Sequence, residues 1–210
     1  FLFGKKTFVY LRSNGYEEYR QILGFVGPAI YHLMFKVVTF KSRIITCQAR
    51  LFPKDKSDIV FPSEIDSLWF ENTKLPSIDK PKLLYVGRLK VEKGIFSLFK
   101  IFEKINEDIE LSIVGKKEKE TTYKKNINYI GYGYGSSDLI KIYDMHNIFV
   151  LPSFTEAHPK VIDEALARKR PIIIFDEIKH IIQNREGIFA CKRNEKSFLE
   201  TVNFIIKNYN

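Results

Sequence analysis

Cysteine is nearly absent. Cys47 and Cys191 are the only two in 210 residues, and they lie far apart, in no metal-binding or redox spacing. Two isolated thiols argue against a disulfide-stapled secreted domain and suit a reducing cytoplasm. No apolar run reaches the roughly twenty residues that span a bilayer. The four histidines, His32, His146, His158 and His180, include no pair at i, i+4 spacing and have no neighbouring cysteine, so the sequence gives no support for a metal site. Neither phosphate-binding fingerprint is complete. No glycine precedes the Lys-Ser or Lys-Thr of a Walker loop, and in Gly131-Tyr-Gly133-Tyr-Gly135 the third glycine falls one place early for a dinucleotide turn. That run reads instead as a flexible turn between strand and helix. Tryptophan occurs once, at Trp69, where core packing is the expected role. No internal repeat or low-complexity tract is present.

What the chain has is apolar and basic. Hydrophobic residues make up 45% of it, enough to bury a core, and the formal net charge is +9. Such a balance suits anionic partners, whether nucleotides, phospholipid headgroups or nucleic acid, and equally an ordinary soluble basic surface. Nucleic acid has charge alone behind it, because the aromatics fall at core spacing; no nucleic-acid partner is expected. The chain opens on Phe1, within an apolar stretch without the layout of a signal peptide, and is expected to be a fragment or processed piece.

The first sixty residues predict about three strands, over 7–11, 43–47 and 58–61, and one helix over 16–38 broken at Gly27-Pro28, with a turn at Ser13-Asn14-Gly15. That is too little to close a sheet covered on both faces. Residues 62–81 carry three prolines and no sustained period, and read as a linker with a short turn at 67–70. From Lys82 the pattern is regular. Strands are expected over 83–86, 109–114, 127–130, 148–151, 171–175 and 188–191. Helices are expected over 94–106, 118–125, 137–145, the stretch opened by Pro159, 178–183 and 197–208. Six strands alternating with helices mean a doubly wound, mostly parallel sheet. The organisation expected is a partial N-terminal domain over 1–62, a linker over 63–81 and a C-terminal domain over 82–210.

Two stretches carry chemistry. After the first strand of the regular domain comes Gly87-Arg88-Leu89-Lys90-Val91-Glu92-Lys93-Gly94. Gly87 permits a sharp turn, and Arg88 and Lys93 bracket a helix start, where dipole, free amides and cations can act on one pyrophosphate. Taken alone it reads more readily as a solvated basic loop. The second stretch is Ser153-Phe-Thr-Glu156-Ala-His158-Pro159-Lys160-Val161-Ile-Asp163-Glu164. Pro159 is expected in the first helical turn, leaving the amides of Lys160 and Val161 free. Glu156 and Glu164 can accept from sugar hydroxyls, or be plain helix N-terminal acids. Both stretches leave carboxyl ends of strands in one parallel sheet, where such sheets bind ligands.

Taken in order, Tyr85-Val-Gly-Arg-Leu, Lys93-Gly94, Ile113-Val-Gly115, Ile130-Gly131, Phe149-Val-Leu-Pro-Ser153, Glu156-x7-Glu164-Ala165 and Pro171-Ile-Ile resemble the C-terminal half of the family 4 ("group 1") glycosyltransferases. Residues 1–56 resemble the end of that family's N-terminal domain. The resemblance implies a GT-B fold and a retaining, metal-independent transferase using a nucleotide-sugar donor, UDP- or GDP-linked, and no separate cofactor. It implies that Gly87, Arg88 and Lys93 meet the donor diphosphate, and that Glu164 holds the ribose. Glu156 would contact the sugar, and backbone amides of His158, Lys160 and Val161 would reach sugar and phosphate. Ile130 and Gly131 would border the base. Arg88, Lys93 and Glu156 form the catalytic set. The implied acceptor is a saccharide or lipid-linked glycan of surface-glycan biosynthesis. The implied location is cytoplasmic, with peripheral contact to an anionic membrane. Ala157 and Lys169 stand where the family has glycine, so Lys169 must adopt a left-handed backbone or the turn there differs. The alternative reading is a non-catalytic nucleotide- or membrane-binding module of the same fold.

Overall fold

The computed structural model describes residues 5–11, 14–47, 51–60, 63–105, 108–116 and 126–209. The chain divides into two compact units, Phe1–Pro62 and Ser63–Asn210.

In the first unit β1 (Phe8–Leu11), α1 (Gly15–Leu23), α2 (Gly27–Thr39), β2 (Arg43–Thr46) and β3 (Ser57–Ile59) follow in order. The strands form a parallel sheet in the order β1-β2-β3. Asn14, expected in a turn, caps α1, its Oδ1 accepting from Tyr16 N at 3.2 Å. Ser13 and Phe61, from the same expected turn and third strand, lie outside the described residues. The helix breaks earlier than expected, in a 3-10 turn over Gly24–Val26. Pro28 sits in the first turn of α2, where its missing N–H costs nothing. Gly27 is required by close approach: a Cβ there would lie 2.0 Å from the Tyr19 carbonyl oxygen.

The second unit holds β4 (Lys82–Val86), α3 (Ile95–Phe102), β5 (Glu110–Val114), β6 (Ile127–Gly131), α4 (Ser136–Asp144), β7 (Ile148–Leu151), α5 (Lys160–Ala167), β8 (Ile172–Phe175), β9 (Ile188–Cys191) and α6 (Glu195–Asn208). All six strands are parallel, in the order β6-β5-β4-β7-β8-β9. The order reverses between β4 and β7, which makes the sheet doubly wound. Alternation along each strand feeds two cores. Leu83, Tyr85, Val150 and Ile173 join Leu98, Phe102, Phe198 and Val202 on one face. Leu84, Phe149, Leu151, Ile172 and Ile174 join Ile162, Tyr143 and Trp69 on the other.

Several expectations shift. The helix expected over 94–106 is the shorter α3, preceded by a 3-10 turn over Val91–Lys93, with Gly94 left-handed at φ 67°. The helix expected near 178–183 is a 3-10 stretch, Asp176–Ile181, kinked at Ile178. The helix expected over 118–125 lies outside the described residues. Pro159 is the N-cap of α5 with extended backbone, not its first helical residue. Lys169 is left-handed, φ 57°, which decides between the two conformations open to it. The stretch 63–81, read as a linker, belongs to the second unit. Trp69 and Ile78 are buried there, and the Asn147 Nδ2 donates to the carbonyls of Ser77 and Lys80 at 3.1 and 2.8 Å.

Candidate functional site

The carboxyl ends of β4 and β7, neighbours at the reversal of strand order, present both sequence-selected loops. Gly87 leaves β4 with its N–H donating to the Val114 carbonyl at 2.9 Å. The next turn comes close: a Cβ on Gly115 would lie 1.8 Å from the Gly87 carbonyl oxygen. Tyr85 is buried, and its hydroxyl donates to the Arg88 carbonyl at 2.7 Å. Burial first, then the nearby Glu156 charge, pushes the Tyr85 phenol far above its ordinary range, so it remains a neutral donor. The backbone of Arg88 is thereby fixed while its side chain is exposed.

The loop after β7 docks on this one. Gly94 lets it approach, since a Cβ there would lie 1.8 Å from the Pro152 carbonyl oxygen. Phe154 N donates to the Glu92 carbonyl at 3.1 Å. Lys93 Nζ then reaches Glu156 Oε1 at 2.6 Å, and Ser153 Oγ donates to the same oxygen at 2.7 Å. The two charged side chains are 22% and 9% exposed, so this pair is far less screened than a surface salt bridge. A His180 Nε2 contact to the Glu156 carbonyl, at 2.8 Å, adds a hold from the far side.

Helix α5 starts beside these loops. Pro159 brings no N–H of its own, and the amides of Lys160 and Val161, in the first turn, have no intrahelical acceptor. The Lys160 ammonium pairs with Glu64. His158 Nε2 lies 3.1 Å from Asp163 Oδ2, and Asp163 also pairs with Arg185 at 3.0 Å. Glu164 does not join the Lys93–Glu156 pair. It is buried, and its Oε2 accepts from the Tyr143 hydroxyl at 2.9 Å. Burial raises its carboxyl pKa, against the opposing hydrogen bond from Tyr143. Ile130 and Gly131 end β6, beyond β5 in the sheet. The Ile130 carbonyl accepts from the Tyr134 hydroxyl at 2.9 Å and the Gly131 carbonyl from Gly115 N at 2.7 Å.

Sequence reasoning missed the supports. Neither Tyr143, on α4, nor Arg168, in Ala-Arg-Lys-Arg-Pro, was singled out from the sequence, and both are buried. The Arg168 guanidinium forks onto Asp144 at 2.9 and 2.6 Å and donates to the carbonyls of Trp69 and Glu71 at 2.8 and 2.9 Å. Arg193, after β9, was missed altogether. No local pattern marks these residues, because their partners are distant in sequence. Among the described residues no group of three His, Cys, Asp or Glu could hold a metal ion, and no helix is long and apolar enough to cross a membrane.

Residues 69–210 match the model of the family described as glycosyl transferases group 1. An uncharacterized glycosyltransferase of Haemophilus influenzae is 28% identical over 151 residues, covering 64% of this chain and 42% of that protein. The N,N'-diacetylbacillosaminyl-diphospho-undecaprenol alpha-1,3-N-acetylgalactosaminyltransferase of Campylobacter jejuni is 23% identical over 157 residues, covering 71% of this chain and 41% of that protein. The match thus spans less than half the length of these curated relatives. Among solved structures, sucrose-phosphate synthase from Thermosynechococcus elongatus superposes with a TM-score of 0.71 at 17% identity, over 96% of this chain and 58% of that one. The chain belongs to the group 1 glycosyltransferases, and its α/β fold is of the GT-B type.

Proposed function

We propose that the protein takes part in transfer of a sugar, with retention of configuration, from a UDP- or GDP-linked donor to a glycan or lipid-linked acceptor in surface-glycan biosynthesis. The observation that carries this reading is the docking of the two loops at the strand-order reversal, where Lys93 and Glu156 meet at 2.6 Å. Arg88, Lys93 and the first-turn amides of α5 take the donor diphosphate, with Gly87 allowing close approach. Glu164 takes the ribose and Glu156 the sugar, with the His158 amide beside it. Ile130 and Gly131 border the base.

In the reaction, the bond from the sugar C1 to the diphosphate oxygen breaks, and its electron pair leaves with the diphosphate. The acceptor oxygen bonds to C1 from the same face, and its proton passes to a diphosphate oxygen. Cations and helix amides stabilise the negative charge as it develops. The assignment needs no covalent nucleophile, metal or further cofactor.

The acceptor class draws on the Campylobacter relative, whose name specifies a diphospho-undecaprenol-linked acceptor. A second observation bears on where the protein works. In the first unit Ile22, Phe25, Leu33 and Phe40 are 73%, 91%, 68% and 63% exposed, with Lys36 and Lys41 close in sequence. Exposed apolar side chains with cations near in sequence suit peripheral contact with an anionic membrane on the cytoplasmic side.

The test is sugar transfer by the full-length protein. Arg88→Ala and Glu164→Gln each lower it at least tenfold; unchanged turnover in both removes the assignment. A thermal-shift screen of UDP-, GDP- and ADP-sugars identifies the donor, since a ligand that binds only the native state raises the melting temperature.

A further inference from the structure

Arg193 lies on the turn between β9 and α6, outside every motif of the sequence. Asn194 N donates to the Lys192 carbonyl at 2.8 Å, and Lys192 N donates to Ser197 Oγ at 3.1 Å, which tightens the turn. Asn194 Oδ1 accepts from Ser197 N at 3.0 Å and caps α6. The turn leaves the carboxyl end of β9, so Arg193 returns over the edge of the sheet that carries both loops.

Its guanidinium uses all five N–H donors. Nη1 donates to the Pro152 carbonyl at 2.8 Å and to Ser97 Oγ at 2.7 Å. Nη2 donates to the Ser153 carbonyl at 3.2 Å and to Glu177 Oε2 at 3.1 Å, and Nε donates to Glu177 Oε1 at 2.8 Å. The planar group lies 4.1 Å from the ring centroid of Phe154 and 4.2 Å from that of Phe175. Two of these acceptors are carbonyls of the loop that carries Glu156. Ser97 is in the first turn of α3, which begins just after Lys93-Gly94, and a Cβ on Gly94 would lie 3.1 Å from Nη1. One side chain therefore ties together the exits of β7, β8 and β9 and the start of α3.

We propose that Arg193 is a positioning residue for the donor site. It holds 152–156 so that Glu156 stands opposite Lys93, and it does not itself bind the diphosphate. Glu177 neutralises its charge, its own carboxyl held low by the hydrogen bond from Arg193. Its full set of donors leaves none for a ligand. A lysine cannot reproduce the fork or the stacking. The inference deepens the proposed function and rests on that reading for its link to the donor.

The test compares wild type, Arg193→Ala, Arg193→Lys and Glu177→Gln by hydrogen–deuterium exchange and by calorimetric titration with UDP-glucose, GDP-mannose, UMP and GMP. In Arg193→Ala the Phe154 amide exchanges at least tenfold faster, while amides of β7 and α6 keep their rates. Affinity for the nucleotide sugar that binds falls at least tenfold, and affinity for the matching monophosphate changes less than twofold. Arg193→Lys does not rescue either effect, and Glu177→Gln shows a smaller loss of loop protection. Unchanged exchange at Phe154 overturns the proposal, as does equal acceleration throughout β7–β9 or equal weakening of both ligand classes. If Arg193→Ala does not fold, Arg193→Lys and Glu177→Gln carry the same comparison. If no nucleotide binds wild type, the donor reading falls, and Phe154 exchange alone decides the positioning claim.

Discussion

The Lys93 ammonium lies 2.6 Å from the Glu156 carboxylate, sixty-three residues further along the chain. If Lys93 takes the donor diphosphate as proposed, that diphosphate competes with Glu156 for it. Glu156→Gln removes the competitor and leaves Lys93 more available to phosphate. The variant is expected to bind free UDP or GDP severalfold more tightly while sugar transfer falls at least a hundredfold, about 3 kcal/mol of lost transition-state stabilisation. Lys93→Ala weakens both. Calorimetry alongside initial-rate measurement checks the opposite signs.

The Tyr143–Glu164 bond predicts a pH effect. Burial raises the Glu164 carboxyl pKa in the folded chain, so the folded state holds a proton that the unfolded state has released. The resulting stability is complete below the unfolded value and is lost as pH rises through the folded one. Glu164→Gln therefore flattens the dependence of stability on pH in the weakly acidic range. Tyr143→Phe removes the one hydrogen bond that opposes the shift and moves the Glu164 titration to still higher pH, readable by carboxyl-carbon NMR. It also costs on the order of 1 kcal/mol, the net scale of a lost hydrogen bond.

Gly94→Ala meets two obstacles: left-handed backbone at φ 67° and a Cβ 1.8 Å from the Pro152 carbonyl oxygen. Gly133 also has positive φ, 82°, but nothing lies within 4 Å of its Cβ position. Gly133→Ala is expected to cost about 1 kcal/mol from backbone strain alone. Gly94→Ala costs more than twice that and separates the two loops, measured by urea denaturation of both variants.

Arg168 joins α5 to the stretch 69–73 and shares Asp144 with Arg170, which donates to Asp144 Oδ1 at 3.0 Å. Arg168→Ala strands buried carbonyls and one carboxylate oxygen, a loss of about 2–3 kcal/mol, held below that of a fully buried pair because Asp144 is partly exposed and keeps Arg170. Arg168→Lys restores little, because an ammonium cannot satisfy acceptors on two sides at once. Denaturant midpoints of the three proteins check the order.

The sheet was legible because its signal is local. Ile148–Leu151 and Ile172–Phe175 are continuous apolar runs, and their residues are buried as the pattern demands. Boundaries failed where local rules competed. Pro28 breaks a helix interior but is harmless in a first turn, so the break fell to Gly24–Val26. Lys93-Gly94 looked like the start of a helix, yet Gly94 turns left-handed first so that the next loop can touch it. Of the site, the two loops could be named from sequence, because strand ends and glycines mark them. The Lys93–Glu156 contact, the Tyr143 hydroxyl beneath Glu164 and the Arg193 fork could not, because each forms only when distant strands align.

Amide chemical-shift mapping of the chain on addition of UDP, GDP or ADP tests the donor cleft most directly. The account predicts that one of these diphosphates shifts the amides of 87–94 together with those of His158, Lys160 and Val161, and that Arg88→Ala weakens the response at least tenfold. Absence of any shift with all three, or shifts confined to the groove between β9 and α6 lined by Ile182, Phe189 and Phe204, would contradict it.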